Sequence, residues 1–346
     1  MNFTYKIILS FVAVCFAIGG WLLYSEIYQV ETRQKKVEFE LDQGVTVNQL
    51  TDKLTQQNIV RSGFLFRQYL TWTGLDTQIG AGRFEVKPPI TLARVAQSLK
   101  NPSARVEKIT IIPGWSLHEI ADYFQKNNIT TKENFLDLVG KPAEQTNQNY
   151  TKIFKNQPKI LDQKPLGISL EGYLKPDTFE IYRNSSGKGV VKKLITARNR
   201  EISDDLYQDI KQSKYNFHEI LTMASILERE VKSTKEKRKV ADIFWRRLED
   251  GMKLQADSSV HYIYGNPDQE DAYTTDQQRN TSSPYNTYHT TGLPPGPISN
   301  PSIESIKAAV YPEENDYWYF LTDVNGNVHY AETLLEHNRN RQLYLQ

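Results

Sequence analysis

Phe217-His218-Glu219-Ile220-Leu221-Thr222-Met223-Ala224-Ser225-Ile226-Leu227-Glu228-Arg229-Glu230-Val231 is the stretch from which the chain is best read. Ile220, Met223, Ala224, Leu227 and Val231 recur at helical spacing, which predicts an amphipathic helix over 218–231. At ~100° per residue, Glu228 stands ~100° from Leu227, while Glu230 stands ~60° from it on the other side, beside Met223. The pattern puts Glu230 at the edge of the buried stripe and turns Glu228 toward solvent. A carboxyl edged by Met and Leu is desolvated, which raises its pKa and suits a general acid near neutral pH. Periodicity alone leaves a second reading open, a flanking glutamate paired with Lys or Arg, because structural ion pairs also perturb pKa.

Downstream, Val240, Ile243, Phe244 and Leu248 predict a second helix that stops at Gly251. Met252 to Asp257 reads as a strand or extended edge bearing Gln255 and Asp257, and the polar stretch Gly265–Ser283 as a mobile surface loop. Tyr285-Asn286-Thr287-Tyr288 then precedes Gly292-Leu293-Pro294-Pro295-Gly296-Pro297-Ile298-Ser299-Asn300-Pro301, whose prolines impose a rigid, extended path. Ten of the twenty tyrosines fall in the last 85 residues. Tyr faces and amide side chains suit sugar rings, although Tyr serves equally in strands and cores. The six histidines form no HExxH or close pair, so no metal site is expected, and neither a Gly-x-Ser-x-Gly elbow nor a Gly-rich phosphate loop occurs.

Upstream, residues 141–165 are rich in Gln, Asn, Lys and Pro and read as a solvated insertion or linker. A strand, a tight turn and a short amphipathic helix recur three times before that. Val37–Leu41, Phe84–Val86 and Lys108–Ile112 are the strands, and Thr46, Thr91 and Ser116 stand at the helix N-caps. They predict a compact α+β region across roughly 37–130 with an internal boundary near Asn101-Pro102. Spacing leaves open whether it is a generic scaffold or a LysM-like glycan-binding module. Residues 25–36 read as a polar stalk.

Ile7 to Tyr24 carries no charge over eighteen residues, which as a helix covers ~27 Å, close to the hydrocarbon core of a bilayer. Trp21-Leu22-Leu23-Tyr24-Ser25-Glu26 offers no small-x-small cleavage site, so an uncleaved membrane anchor is expected rather than a signal peptide. Flanking Lys and Arg do not decide its orientation. The short amino tail and the single cysteine, Cys15, inside the span favour a body outside the cytoplasm.

With 346 residues, two folded units are expected. Forty-two Lys and Arg balance 41 Asp and Glu, which argues against a nucleic-acid partner. One cysteine excludes a disulfide framework and any multi-cysteine metal site.

Five motifs in order give the chain its resemblance. Glu171-Gly172-Tyr173-Leu174-Lys175-Pro176-Asp177-Thr178-Phe179, Met223 to Glu230, Gly251-Met252-x-Leu254-Gln255-x-Asp257, Tyr285 to Tyr288 and Gly292 to Ile298 resemble those of the endolytic murein transglycosylases, the MltG or YceG-like family. Tyr317-Trp318-Tyr319-Phe320, His329 and Glu336-His337-Asn338 fit it too. The resemblance implies a cytoplasmic tail (1–6), a single-pass inner-membrane anchor (7–24), a small LysM-like α+β module (37–105) and a larger α+β catalytic domain (106–346), periplasmic or otherwise extracytoplasmic. It also implies cleavage of the β-1,4 bond between N-acetylmuramic acid and N-acetylglucosamine inside nascent glycan strands, leaving 1,6-anhydro ends and terminating strand elongation. Glu230 would be the catalytic acid and base. Gln255, Asp257, Tyr285, Asn286 and Tyr288 would hold the sugars, their N-acetyl groups or the glutamate. Neither a cofactor nor a metal is implied, and the partners would be peptidoglycan strands, the membrane and membrane-bound peptidoglycan synthases. Lys175, Arg246 and Ser258 depart from the family's pattern, the last standing where Asp-Pro is common, and none is expected to touch Glu230. A membrane-tethered glycan-binding scaffold, and a water-using muramidase with Asp257 as second carboxylate, are the competing readings.

Overall fold

The computed structural model describes residues 14, 18, 20, 21, 24, 25, 27, 28, 36–41, 45–80, 82–100, 106–182, 185–265 and 274–345. Among the described residues no helix is long and apolar enough to cross a membrane, and most of the expected span, 7–24, lies outside them. The chain divides into two compact α+β units, one of Met1–Lys108 with Glu180–Asn184, the other of Ile109–Phe179 with Ser185–Gln346.

The first unit holds β1 (Val37–Leu41), α1 (Val47–Gln56), α2 (Gly63–Thr73), β2 (Gly82–Val86) and α3 (Leu92–Ser98). Antiparallel pairing sets Phe39 opposite Phe84, their rings stacked at 5.2 Å. Alternation of apolar residues along both strands sends one face inward. That face meets Leu50, Leu54, Phe66, Leu70, Val95 and Leu99, all buried. Thr46, Ser62 and Thr91 cap the three helices, Thr46 in a reciprocal box with Gln49. β3 (Val106–Thr110) pairs with β4 (Thr178–Tyr182), and the division between the units runs through both strands.

In the second unit, α4 (Leu117–Lys126) and α5 (Lys132–Val139) precede β4. Ser116 caps α4, so the third strand–helix repeat has its helix here. After β4 come α6 (Gly187–Glu201), α7 (Asp204–Gln212), α8 (Phe217–Glu230), α9 (Thr234–Glu249), α10 (Asp257–Ile263), α11 (Asp276–Arg279) and α12 (Ile303–Val310). A hairpin of β5 (Tyr319–Thr322) and β6 (Val328–Ala331) follows, with α13 (Leu334–Tyr344) packed on both strands.

Helix α8 is the axis of this unit, packing most extensively on α12 and also touching α7, α9 and α10. Asn216 caps it in a box with Glu219, and Gln163 accepts the Phe217 N–H at 3.1 Å. From Ile220 to Leu227 every residue is buried. Ser225 in the middle accepts the Ile298 N–H at 2.9 Å, and its carbonyl accepts the Ser299 hydroxyl at 3.0 Å, which binds the proline-rich segment to the helix. His218 anchors the same segment, with Nε2 to the Pro295 carbonyl at 2.9 Å and Nδ1 to the Tyr173 hydroxyl at 2.8 Å. Burial pushes this imidazole down to about 4, so the ring is neutral. Gly172 sits at φ +83, and a Cβ there would meet Pro297 at 2.6 Å, so only glycine lets the two segments approach.

Three segments differ from the sequence reading. Residues 141–165 are not a solvated linker, since Tyr150, Ile160 and Leu161 are buried and two 3-10 turns shape the segment. Its polar composition hid those three apolar anchors. Met252 to Asp257 forms no strand and leads directly into α10. Of Gly265–Ser283, residues 266–273 lie outside the described residues, and α11 occupies part of the remainder.

Candidate active site

Glu230 is the last residue of α8, after which the backbone turns extended at Val231. The turn carries the carboxylate out of the helix stack toward the start of α10. There its Oε1 accepts the Ser258 hydroxyl at 2.6 Å and, weakly, the Ser258 N–H at 3.4 Å. Glu230 keeps part of its surface open to solvent, yet the protein around its carboxyl is the largest influence on its ionisation. Burial and the neighbouring charge of Asp257 raise it, the Ser258 hydrogen bonds oppose them, and the outcome is about 7. A carboxyl poised there can hold and release a proton near neutral pH.

The segment before α10 is placed by buried polar contacts. Arg247 on α9 donates to the Leu254 carbonyl at 2.8 Å and to the Trp318 carbonyl at 2.6 and 2.9 Å. Gln255 adopts φ +54, a left-handed conformation disfavoured for a residue with a side chain. In that turn its N–H reaches the Thr287 carbonyl at 3.2 Å, and the next N–H, of Ala256, reaches the Thr287 hydroxyl at 2.9 Å. The Gln255 side chain is left exposed.

Asp257 opens α10 and is partly exposed. Its Oδ1 accepts the Tyr288 hydroxyl at 2.9 Å and the Thr274 hydroxyl, with Arg279 Nε at 3.6 Å. The Arg279 guanidinium also lies over the Tyr288 ring, 5.3 Å from its centre. Burial and the charge of Asp257 raise the Tyr288 phenol, which stays a donor. Tyr285 and Asn286 are fully enclosed. Tyr285 packs against Tyr262 at 5.3 Å, while Asn286 donates to the Arg279 and Thr281 carbonyls and accepts the Tyr288 N–H at 3.0 Å. Asp257 and Tyr288 therefore stand partly exposed and close enough to Glu230 to act on its charge, Gln255 turns its side chain to solvent, and Tyr285 and Asn286 hold the loop that carries Tyr288.

Two expectations are corrected here. Glu228 does not turn to solvent: its carboxylate pairs with Lys237 at 3.0 Å and accepts the Ser302 N–H at 2.8 Å and the Ser302 and Ser305 hydroxyls at 2.6 Å each. Burial would raise its pKa, but these donors and the Lys237 charge outweigh it and hold it below the usual range. The one-sided helical projection missed α12, whose first turn covers the face that Glu228 occupies. Ser258, a departure from the family's pattern, does touch Glu230. Lys175 pairs instead with Asp177 and Glu201, and Arg246 with Asp242. The sequence marks Ser258 only as a departure, because a serine beside an aspartate carries no periodic signal, and it gives no sign of Arg247, whose task is to bind carbonyls.

A second buried carboxyl, Glu171, is tied to α10. Glu171 accepts the Leu117 N–H at 2.9 Å and the Asn300 amide at 2.8 Å, and Tyr262 of α10 hydrogen-bonds to it as well. Complete burial pushes it up to about 8. Among the described residues no group of three or more His, Cys, Asp or Glu side chains is arranged to hold a metal.

The YceG-like family model matches residues 39–343, which takes in every side chain of this site. The chain belongs to the YceG-like family. It is 30% identical over 344 residues to the endolytic murein transglycosylase of Bacillus subtilis, covering 95% of this chain and 91% of that one. Against the endolytic murein transglycosylase of Streptococcus pneumoniae serotype 2 it is 27% identical over 341 residues, spanning 62% of that longer protein. Among solved structures, the crystal structure of a yceG-like protein from Listeria monocytogenes is 28% identical, with a TM-score of 0.57 over 89% of this chain and 99% of that one. A member of this family is thus folded as a mixed α+β protein in a relative as well.

Proposed function

We propose that the chain is an endolytic lytic transglycosylase of peptidoglycan, cutting the β-1,4 bond between N-acetylmuramic acid and N-acetylglucosamine within nascent strands. The observation that carries this reading is the Glu230 carboxyl, held by Ser258 and raised to about 7 beside the partly exposed Asp257 and Tyr288. Protonated Glu230 gives its proton to the leaving glycosidic oxygen. The muramoyl C6 hydroxyl then closes on C1, and the Glu230 carboxylate takes the hydroxyl proton back. No water is consumed, and the nucleophile is tethered to the carbon it attacks, so effective molarity replaces a positioned water. Three groups converge on Oδ1 of Asp257, which suits an anchor for Tyr288 and for sugar hydroxyls better than the water-holding carboxylate of a hydrolase.

Residues 7–24 are the membrane anchor in this reading, with the body on the outer side of the cell membrane. Residues 37–105 form the LysM-like module that meets the glycan, and membrane-bound synthases deliver the strand. Replacing Glu230 by Gln keeps the shape and the Ser258 contact but removes the transferable proton. Strand cleavage by Glu230→Gln should fall at least 100-fold, the scale of a lost general acid, with an unchanged circular dichroism spectrum. Undiminished cleavage would remove Glu230 from the mechanism.

A further inference from the structure

We propose that Ser258 is a positioning residue that grips Oε1 of Glu230 and so assigns Oε2 as the oxygen that gives the proton up and takes it back. This deepens the proposed function and rests on Glu230 being its acid and base. The 2.6 Å contact lies in the range of a hydroxyl donating to a charged oxygen. Ser258 is buried at 6% exposure in the first turn of α10, and its own N–H points at the same oxygen, so both donors fall on one side of the carboxylate. Among the described residues no hydrogen bond reaches Oε2.

Neighbouring hydroxyls cannot take over this task. Ser259 donates to the Ala256 carbonyl at 2.7 Å and shares a 2.9 Å contact with Thr287, and the Thr274 and Tyr288 hydroxyls are engaged with Asp257. A proton on Oε1 would face two donors and force the Ser258 hydroxyl to turn away. With the proton on Oε2, the Ser258 bond survives in both protonation states, and the carboxyl need not rotate between bond cleavage and ring closure. The same hydrogen bond favours the ionised form, so it opposes the upward push of burial and of Asp257. Ser258 thereby sets the pH at which the acid works as well as its direction.

The test is a direct titration of the Glu230 carboxyl in the full chain, by carbon-13 NMR with glutamate labelled at Cδ. The Glu230 signal is the one missing from Glu230→Gln. In Ser258→Ala the midpoint should rise by about one unit, the scale of a lost hydrogen bond to a charged group. Ser258→Thr, which keeps the hydroxyl, should return it toward the wild-type value. The alkaline limb of the cleavage profile should move with the titration, and kcat should fall more than KM changes. An unmoved midpoint in a folded Ser258→Ala, or an equal rise in Ser258→Thr, overturns the proposal. Those titrations do not depend on activity. Full cleavage by Glu230→Gln would instead defeat the catalytic reading and leave the Ser258 contact to be judged by the midpoint alone.

Discussion

Keeping a carboxyl protonated near neutral pH is costly to the fold, and Glu230 shows how that cost falls. Its folded pKa of about 7 stands above the ordinary carboxylate value of 4.5. Its stabilising share is therefore fully present below pH 4.5 and is lost as pH rises through 7. At pH 8 the wild-type chain holds an ionised, partly buried carboxylate that Glu230→Gln lacks. The variant should be the more stable of the two in urea unfolding at pH 8, with the difference closing toward pH 4.5. A difference that stays constant across this range would mean that Glu230 is not desolvated. Asp257 acts on the same group through its charge. Asp257→Asn should lower the Glu230 midpoint and move the alkaline limb of the cleavage profile to lower pH, opposite in sign to Ser258→Ala. Both shifts are read from the pH dependence of kcat, whatever Asp257 also contributes to sugar binding.

At the scale of elements, helix α8 is legible from its apolar spacing alone, and its end falls within one residue of the sequence expectation. What periodicity could not show was the number of partners. With α7, α9, α10 and α12 packed on the helix, the face that Glu228 occupies is covered, and its carboxylate turns inward rather than to solvent. It binds the first turn of α12 and neutralises Lys237, itself buried. Glu228→Gln should cost about 3 kcal/mol of unfolding free energy, the scale of stranding one partner of a buried ion pair. A loss below ~0.5 kcal/mol, as for an exposed pair, would return Glu228 to the surface.

The segment 252–257 was misread for a related reason: its conformation is imposed by Thr287, thirty-odd residues on, and local alternation cannot register that contact. Gln255→Gly tests what the strained turn is for. Removing the left-handed strain, ~1–2 kcal/mol, against the greater unfolded-state freedom of glycine, ~0.5–1 kcal/mol, should leave stability unchanged or slightly raised. Cleavage should nonetheless drop, because the exposed amide is lost from the sugar-facing surface. Equal activity would make Gln255 a turn residue and nothing more.

For the whole molecule, the ordered motifs carried the α+β architecture and the site's neighbourhood, while the contacts that tune the acid came only with the folded chain. Ser258 is the clearest case, a residue that stands out in the sequence only as a departure from the family's pattern and that hydrogen-bonds the Glu230 carboxylate in the fold. The proposed anchor belongs to this scale as well. Substituting Lys for Val12, Phe16 and Ile18 should release the chain from the membrane fraction without altering cleavage of soluble glycan strands; continued sedimentation with membranes would dismiss residues 7–24 as the anchor.

The central claim is that the bond is broken without water, by one glutamate and the substrate's own C6 hydroxyl. Mass spectrometry of glycan fragments released by the purified full chain tests it most directly. The mechanism predicts muramoyl ends one water lighter than hydrolysed ends, and none of these in Glu230→Gln. Fragments carrying ordinary reducing ends would contradict it and make the protein a muramidase.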